Sequence, residues 1–240
     1  MTTQPTFSIV IPAYNEEDYL PHCLDAIDRA AAILGEPVEV IVADNVSRDH
    51  TPEIALERGA RVVRVEVKCL SIIRNRGAAE ATGKYLAFID ADNIMSANML
   101  AEIKRVMDSG RYVGGGVARI HMDRTSVGMF FCGLALIPLV LGYRVSAVLF
   151  YTTPAAFQAV GGFDEQLYSL EDLDFGRRLK KHGKRLGLKY KNLWRASVIY
   201  SARKFDEYGD WFLVRHPFMY LNLVRHEHTA VYDFWYRARR

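Results

Sequence analysis

Lys84-Tyr85-Leu86-Ala87-Phe88-Ile89-Asp90-Ala91-Asp92 is the stretch that decides the fold. Its apolar run has the length and composition of a buried strand. The run ends in two carboxylates one residue apart, which places Asp90 and Asp92 at the C-terminal edge of that strand. In open α/β sheets this edge is where ligands bind. Hard divalent cations take oxygen ligands, and Mg²⁺ is commonly held by one or two carboxylates plus substrate phosphates. The competing reading is local: a solvated strand end, with Asn93 opening a turn.

Moving outward from this strand, the first half alternates strand and helix signals. Phe7–Ile11 reads as a strand ending at Pro12, and Glu16–Leu34 as a helix with apolar residues at Leu20, Leu24, Ile27, Ala31 and Leu34. Gly35 sits where a helix cap belongs. Val38–Ala43 reads as a strand, Thr51–Arg58 as a helix with Pro52 in its first turn, and Arg61–Val65 as a third strand. Ser71–Ala81 is a helix ending near Gly83, and Ser96–Met107 a further helix beyond the Asp-x-Asp strand. This order predicts an α/β fold: a mainly parallel, Rossmann-like sheet flanked by helices. The second half is less regular. Tyr112–Met122 reads as one or two strands, bent or bulged at Gly114-Gly115-Gly116. Val145–Thr153 reads as a strand, Thr153–Phe157 as the opening of a short helix and Gly161–Asp164 as a turn. Glu171–His182 reads as a helix and Arg185–Tyr190 as a returning strand. No repeat or low-complexity linker divides the chain, so residues 1–240 read as a single domain with a nucleotide-binding half (1–110) and an acceptor-binding half (111–240).

Composition narrows the class. Half of the 240 residues are hydrophobic and a quarter charged, which is ordinary for a globular chain. A net charge of +3 gives no support to a nucleic-acid partner. Cys23, Cys69 and Cys132 are scattered and lack metal spacing, as suits core thiols in a reducing, cytoplasmic setting. The N-terminus has no basic patch before its first apolar run, so no signal peptide is expected. Val127–Gly142 has no charged residue. It is short of a membrane span and interrupted by Pro138, which leaves a buried core helix or a helix lying at a membrane surface.

Several side chains fall on the same sheet edge as Asp90 and Asp92. Asp44 ends the second strand, as Pro12-Ala13-Tyr14-Asn15-Glu16 ends the first. A carboxylate there suits a nucleobase or ribose, and the Tyr14 ring suits stacking. The local alternatives are an Asp44-Asn45 turn and an Asp49 cap on the helix beginning at Thr51. Arg74 suits a diphosphate or a solvated helix face. Glu171-Asp172 opens a helix, where a carboxylate over the sheet edge can act as a general base or simply complement the helix dipole. His226-x-His228 reads as surface or as a metal pair without further ligands. The aromatic and arginine-rich tail 232–240 suits either docking or a membrane interface.

Taken together and in order, these pieces resemble the family 2 glycosyltransferases, which have the A-type glycosyltransferase fold. The carriers are Ser8-Ile9-Val10-Ile11-Pro12-Ala13-Tyr14-Asn15-Glu16-Glu17, Val42 to Thr51, Arg74-Asn75-Arg76-Gly77, Phe88 to Asp92, Gly161-Gly162-Phe163-Asp164-Glu165 and Glu171-Asp172. The resemblance runs from about Phe7 to about Arg203. It implies that Pro12, Ala13, Tyr14 and Glu16 line a nucleoside pocket, with Asp44 on the base. It further implies that Asp90 contacts the ribose or the metal shell, and that Asp92 ligates a divalent metal, Mg²⁺ or Mn²⁺. Asp172 would be the general base, with Glu171 beside it. Arg203 and Lys204 would lie on a mobile segment near the diphosphate.

The activity so implied is metal-dependent, inverting transfer of one sugar from a UDP- or GDP-sugar to the hydroxyl of a saccharide or lipid acceptor. Two alternatives stay open: a polyprenyl-phosphate glycosyltransferase in peripheral contact with a membrane, and a non-catalytic nucleotide-sugar-binding protein. Val46 stands where the family often has glycine. The Gln-x-x-Arg-Trp pattern of the processive members is missing, which favours single-sugar transfer.

Overall fold

The computed structural model describes residues 4–134, 145, 148–167, 170–211 and 215, with only the backbone of Lys204. Residues 135–142, the His226-x-His228 pair and the tail lie outside them. Eight strands form one sheet in the order β3-β2-β1-β4-β7-β6-β8-β5. The strands are β1 (Phe7–Ala13), β2 (Val38–Asp44), β3 (Arg61–Arg64), β4 (Tyr85–Ile89), β5 (Ile94–Met95), β6 (Tyr112–Met122), β7 (Leu149–Thr152) and β8 (Lys189–Tyr200). The helices are α1 (Leu20–Leu34), α2 (Thr51–Glu57), α3 (Leu70–Ala79), α4 (Met99–Met107), α5 (described over 127–134), α6 (Pro154–Ala159), α7 (Glu171–Arg185) and α8 (Arg203–Tyr208).

The first half has the expected parallel topology, with β1 paired in parallel to both β2 and β4 and β2 to β3. The second half is mixed. β7 runs antiparallel to β4 and β6, while β8 is parallel to β6. Two reversals bring β6 and β8 back to the direction of β4. The C-terminal ends of β1, β2, β4, β6 and β8 therefore share one edge. Helix α1 covers one face with Leu20, Cys23, Leu24, Ile27 and Ala30 buried, the i, i+3, i+4, i+7 pattern of an apolar stripe. It starts at Leu20 rather than Glu16. The backbone N–H of Glu16 is bonded to Thr51 Oγ1 at 2.7 Å and that of Glu17 to Asp49 Oδ2 at 3.1 Å, so this turn is held by α2's leading loop.

The opposite face holds a cluster of phenylalanines. Phe163 stacks on Phe175 with ring centroids 4.4 Å apart, and Phe88 meets Phe163 edge-on at 5.1 Å. Each buried ring contributes about 1.5–3 kcal/mol of transfer free energy, and such aromatic pairs about 0.5–1.5 kcal/mol more. This cluster fixes the Gly161–Glu165 turn and α7 against β4.

Four further expectations need correction. Helix α7 runs on to Arg185, because the left-handed residue that follows its end is Gly187 (φ 72) and not Gly183. The strand expected over 185–190 is instead Lys189–Tyr200. The expected strand over 145–153 is confined to Leu149–Thr152. In the described part of the uncharged segment, Met129 and Cys132 face inward, but Val127, Phe130, Phe131 and Leu134 are exposed as one helical stripe. That part is not a buried core helix. No helix among the described residues is long and apolar enough to cross a membrane.

Gly114 and Gly115 of β6 are explained by close backbone approach. A Cβ on Gly115 would lie 1.8 Å from the carbonyl oxygen of Lys191, and the register of β6 on β8 shifts between Tyr112 and Gly114. Gly115→Ala is expected to cost about 3 kcal/mol or more or to prevent folding. Gly133→Ala, which meets nothing within 4 Å, should change stability by less than about 1 kcal/mol. Chemical denaturation of both variants checks the pair.

Candidate active site

The ends of β1 and β2 are laced together. Asn15 N–H donates to Ser47 Oγ at 2.9 Å, and Arg48 N–H donates to Asn15 Oδ1 at 2.8 Å. Asp44 is buried and accepts from Ser47 N–H at 3.2 Å. Asn45 donates to the carbonyls of Val65 and Val67, anchoring the loop after β3. Between them Val46 has φ 58, left-handed backbone that is costly for a β-branched residue. The turn there keeps the conformation a glycine would take. The N-cap of α2 is His50 and not Asp49, although Asp49, one residue earlier, accepts from Thr51 N–H at 3.0 Å. Tyr14 is half-buried, with Lys68 Nζ 5.5 Å from its ring centre. Pro12, Ala13, Tyr14 and Asp44 thus form one group at the ends of two neighbouring strands.

A second group is built on β4, α3, α7 and α8. Arg74 is buried beneath the edge, neither solvated nor facing open space. Its Nη2 lies 2.7 Å from Asp90 Oδ1 and its Nη1 2.8 Å from Glu171 Oε1. The guanidinium carbon sits 5.2 Å from the Phe163 ring centre. Arg203, the first residue of α8, donates to both Glu16 oxygens at 2.7 and 3.0 Å and to Asp92 Oδ2 at 3.1 Å. Its guanidinium carbon lies 4.6 Å from the Tyr19 ring centre.

The acceptor side is positioned by α3. Asn75 Nδ2 donates to Phe163 O at 2.9 Å, and Phe163 N–H donates to Asn75 Oδ1 at 2.9 Å. Gly162 (φ 66) allows this approach, since a Cβ there would fall 2.7 Å from Asn75 Oδ1. Leu170 follows with φ 57, a strained residue immediately before Glu171. Glu171 is buried in its ion pair with Arg74, whereas Asp172 is partly buried and accepts from Leu173 N–H at 2.6 Å. Burial pushes the Asp172 carboxyl well above the ordinary carboxylate range. The Glu171 charge adds to the rise, and Arg74 and the Leu173 N–H oppose it.

Glu16, Asp90, Asp92, Glu171 and Asp172 thus share this edge with Arg74 and Arg203, an excess of negative charge. Cys23, packed beneath, has its thiol pushed far up by burial and then by Asp92, Asp90 and Glu16. Asp90 and Asp92 keep partly exposed side chains, and their hard oxygens in a negative field fit a divalent cation. Among the described residues no three metal-binding side chains form a ready cage. Such a pair fits a cation that draws its other ligands from phosphate and water.

Sequence reasoning assigned no role to Asn75, Phe163, Leu170 or Tyr19. Asn75 is adjacent to Arg74 in Arg-Asn-Arg-Gly, but its partner lies 88 residues away. Asn93 is fully buried with neither amide atom bonded, and nothing in the sequence marks that.

Removing Arg74 should leave two carboxylates facing one another in poor solvent. Arg74→Met is expected to lose about 3 kcal/mol. Adding Glu171→Gln should recover a substantial part of that loss, a coupling that a double-mutant cycle on thermal or urea unfolding measures.

With this geometry in view, comparisons place the chain. It is 25% identical over 200 residues to the minor teichoic acid biosynthesis protein GgaA of Bacillus subtilis, covering 75% of this chain and 44% of that protein. The chain spans 36–44% of the length of the first three curated relatives it matches. Its fold is similar to S. aureus TarS 1-349 in complex with UDP-GlcNAc (TM-score 0.63, 20% identity, 82% of this chain and 59% of that one). It is also similar to the mannosyltransferase PcManGT from Pyrobaculum calidifontis in complex with GDP-Man and Mn²⁺ (TM-score 0.62, 18% identity, 82% and 57%). Residues 8–147 match the family described as Glycosyl transferase family 2, more than half of the sequence, and the chain belongs to that family.

Proposed function

We propose that the chain transfers one sugar from a nucleoside-diphosphate sugar to an acceptor hydroxyl, with inversion and with a divalent metal, Mg²⁺ or Mn²⁺, held by Asp92 and Asp90. The observation that carries this reading is the Arg74 bridge. It ties Asp90 to Glu171 and so sets the Asp172 carboxylate beside the Asp-x-Asp edge. The UDP-GlcNAc in TarS and the GDP-Man with Mn²⁺ in PcManGT support a donor of this class in this fold. A bound metal would stabilise charge developing on the departing diphosphate.

The roles of the chain's own residues follow from their surroundings. Pro12, Ala13 and Tyr14 would line the nucleoside, and Asp44 would accept from the base. Glu171 is committed to Arg74, so Asp172 is the carboxylate suited to take the acceptor hydroxyl's proton. As that proton leaves, the acceptor oxygen bonds to the anomeric carbon and the carbon–oxygen bond to the diphosphate breaks on the opposite face. A raised affinity for protons makes Asp172 a stronger base than an exposed aspartate.

A second reading, transfer to a lipid-linked phosphate acceptor at a membrane surface, is favoured by the outward stripe of Val127, Phe130, Phe131 and Leu134. Product formation with a polyprenyl phosphate, and none with soluble saccharides, would select it.

A matching nucleotide sugar with Mn²⁺ at about 100 times its dissociation constant is expected to raise the melting temperature by roughly 5–10 °C. Asp92→Ala should lose the shift, and no shift with any UDP- or GDP-sugar in the unmodified chain would overturn the donor assignment.

Asp172→Asn should lower kcat by about 10²–10⁴-fold yet stabilise the fold at neutral pH. Below about pH 4 both folded and unfolded chains hold the Asp172 proton, and its shift contributes nothing. As pH rises the unfolded chain ionises first, so the raised folded value erodes stability until pH passes it. The variant removes that loss. Its gain should be on the order of 1–2 kcal/mol at pH 7, roughly 2–8 °C, and should shrink towards pH 4.

A further inference from the structure

Arg203 and a divalent cation make claims on the same carboxylate. The Arg203 guanidinium grips Glu16 with two hydrogen bonds and reaches Asp92 Oδ2 at 3.1 Å with the same Nη2 that bonds Glu16. Glu16 is itself buried, and Tyr19 covers one face of the guanidinium. Arg203 is thus held by an anion on one side and a ring on the other, with Asp92 at the end of its reach. A planar cation fixed this way neutralises Asp92 without enclosing it.

We propose that Arg203 is an internal counter-cation that makes metal binding at Asp92 conditional on the donor diphosphate. This rests on the metal and donor roles given above. A divalent ion arriving alone at Asp92 meets the fixed positive charge of Arg203, and like charges at this separation repel. A nucleoside diphosphate brings the negative charge that offsets both cations, giving Arg203 a second anion to bond and the metal its phosphate ligands. Metal and diphosphate therefore bind with positive coupling, and the coupling is reciprocal. Arg203 is a positioning residue in this scheme, since it acts on Asp92.

Arg203 also belongs to a braced element. It is the first residue of α8, and the far end of that element is tied to the start of α5. Arg124 pairs with Asp206 and, at 2.9 Å, with Asp210, and Cys132 Sγ lies 3.3 Å from Asp210 O.

The test is direct titration of Mn²⁺, followed by loss of the free-ion electron paramagnetic resonance signal, with and without UDP or GDP. In the unmodified chain Mn²⁺ alone should bind weakly, and the diphosphate should tighten it at least about fivefold. Arg203→Gln should bind Mn²⁺ alone at least about fivefold more tightly and show a smaller tightening by diphosphate. Arg203→Lys, which keeps the charge, should stay close to the unmodified chain, and it guards against attributing a folding defect to lost charge. If the unmodified chain shows diphosphate-dependent Mn²⁺ binding and Arg203→Gln leaves Mn²⁺ affinity unchanged or weaker, the counter-cation role is overturned while the donor site stands. If no Mn²⁺ binds with either nucleotide in any variant, the metal reading falls and this role with it.

Discussion

The buried Arg74 guanidinium is the interaction on which the remaining geometry depends. It carries a full charge into a region with little water, which is tolerable only because two carboxylates meet it with short, directed hydrogen bonds. Those carboxylates come from opposite halves of the molecule, Asp90 from the end of β4 and Glu171 from the start of α7. Satisfying the charge therefore fixes the distance between the halves. The phenylalanine cluster packs α7 and the turn before it against β4, yet apolar contact alone is tolerant of small slips. The two ion pairs are less so, because their hydrogen bonds depend on direction as well as distance.

The same arrangement separates two adjacent carboxylates that look equivalent in the sequence. Glu171 and Asp172 are neighbours on one helical turn, and either has the chemistry of a base. Glu171 is neutralised by Arg74, and its burial is thereby offset. Asp172 receives one backbone hydrogen bond and sits in the field of Glu171. Environment, not residue type, divides structural from chemical duty. The left-handed Leu170 preceding them is the kind of local strain that persists only where surrounding contacts over-determine the backbone. Here Leu170 O accepts from Asp174 N–H at 3.0 Å in the first turn of α7, and Asn75 and Arg178 clamp the Val160–Phe163 turn that precedes it.

How much of this is legible in the sequence divides along the chain. The parallel half reads directly, because each strand and helix carries its own period and its own stop signal, as with Gly35 after α1. The mixed half does not. Pairing of β6 with β7 and β8 depends on partners tens of residues apart, and the long β8 has no alternation that separates it from a loop. Asp90, Asp92, Glu171 and Asp172 stand out as an ordered set. The partners of Arg74 do not, since a helix position shows which residue is present but not what it faces. The Val46 turn shows the reverse case. The unexpected residue type does not change the local conformation, because the hydrogen bonds from Ser47 to Asp44 and from Asn15 to Ser47 hold the backbone in place.

The long reach of the Arg203 contacts has a consequence for how the chain comes into being. Glu16 lies 187 residues before the arginine that neutralises it. At a synthesis rate of about 5–20 residues per second, roughly 10–40 s separate their appearance. During that interval β1, β2 and β4 can pair, since their crossovers are local, while the acidic edge they create lacks its Arg203 counter-charge. The nascent chain thus presents an anionic rim before Arg203 arrives, and the sheet and its counter-charge are completed nearly together, because β8 ends at Tyr200.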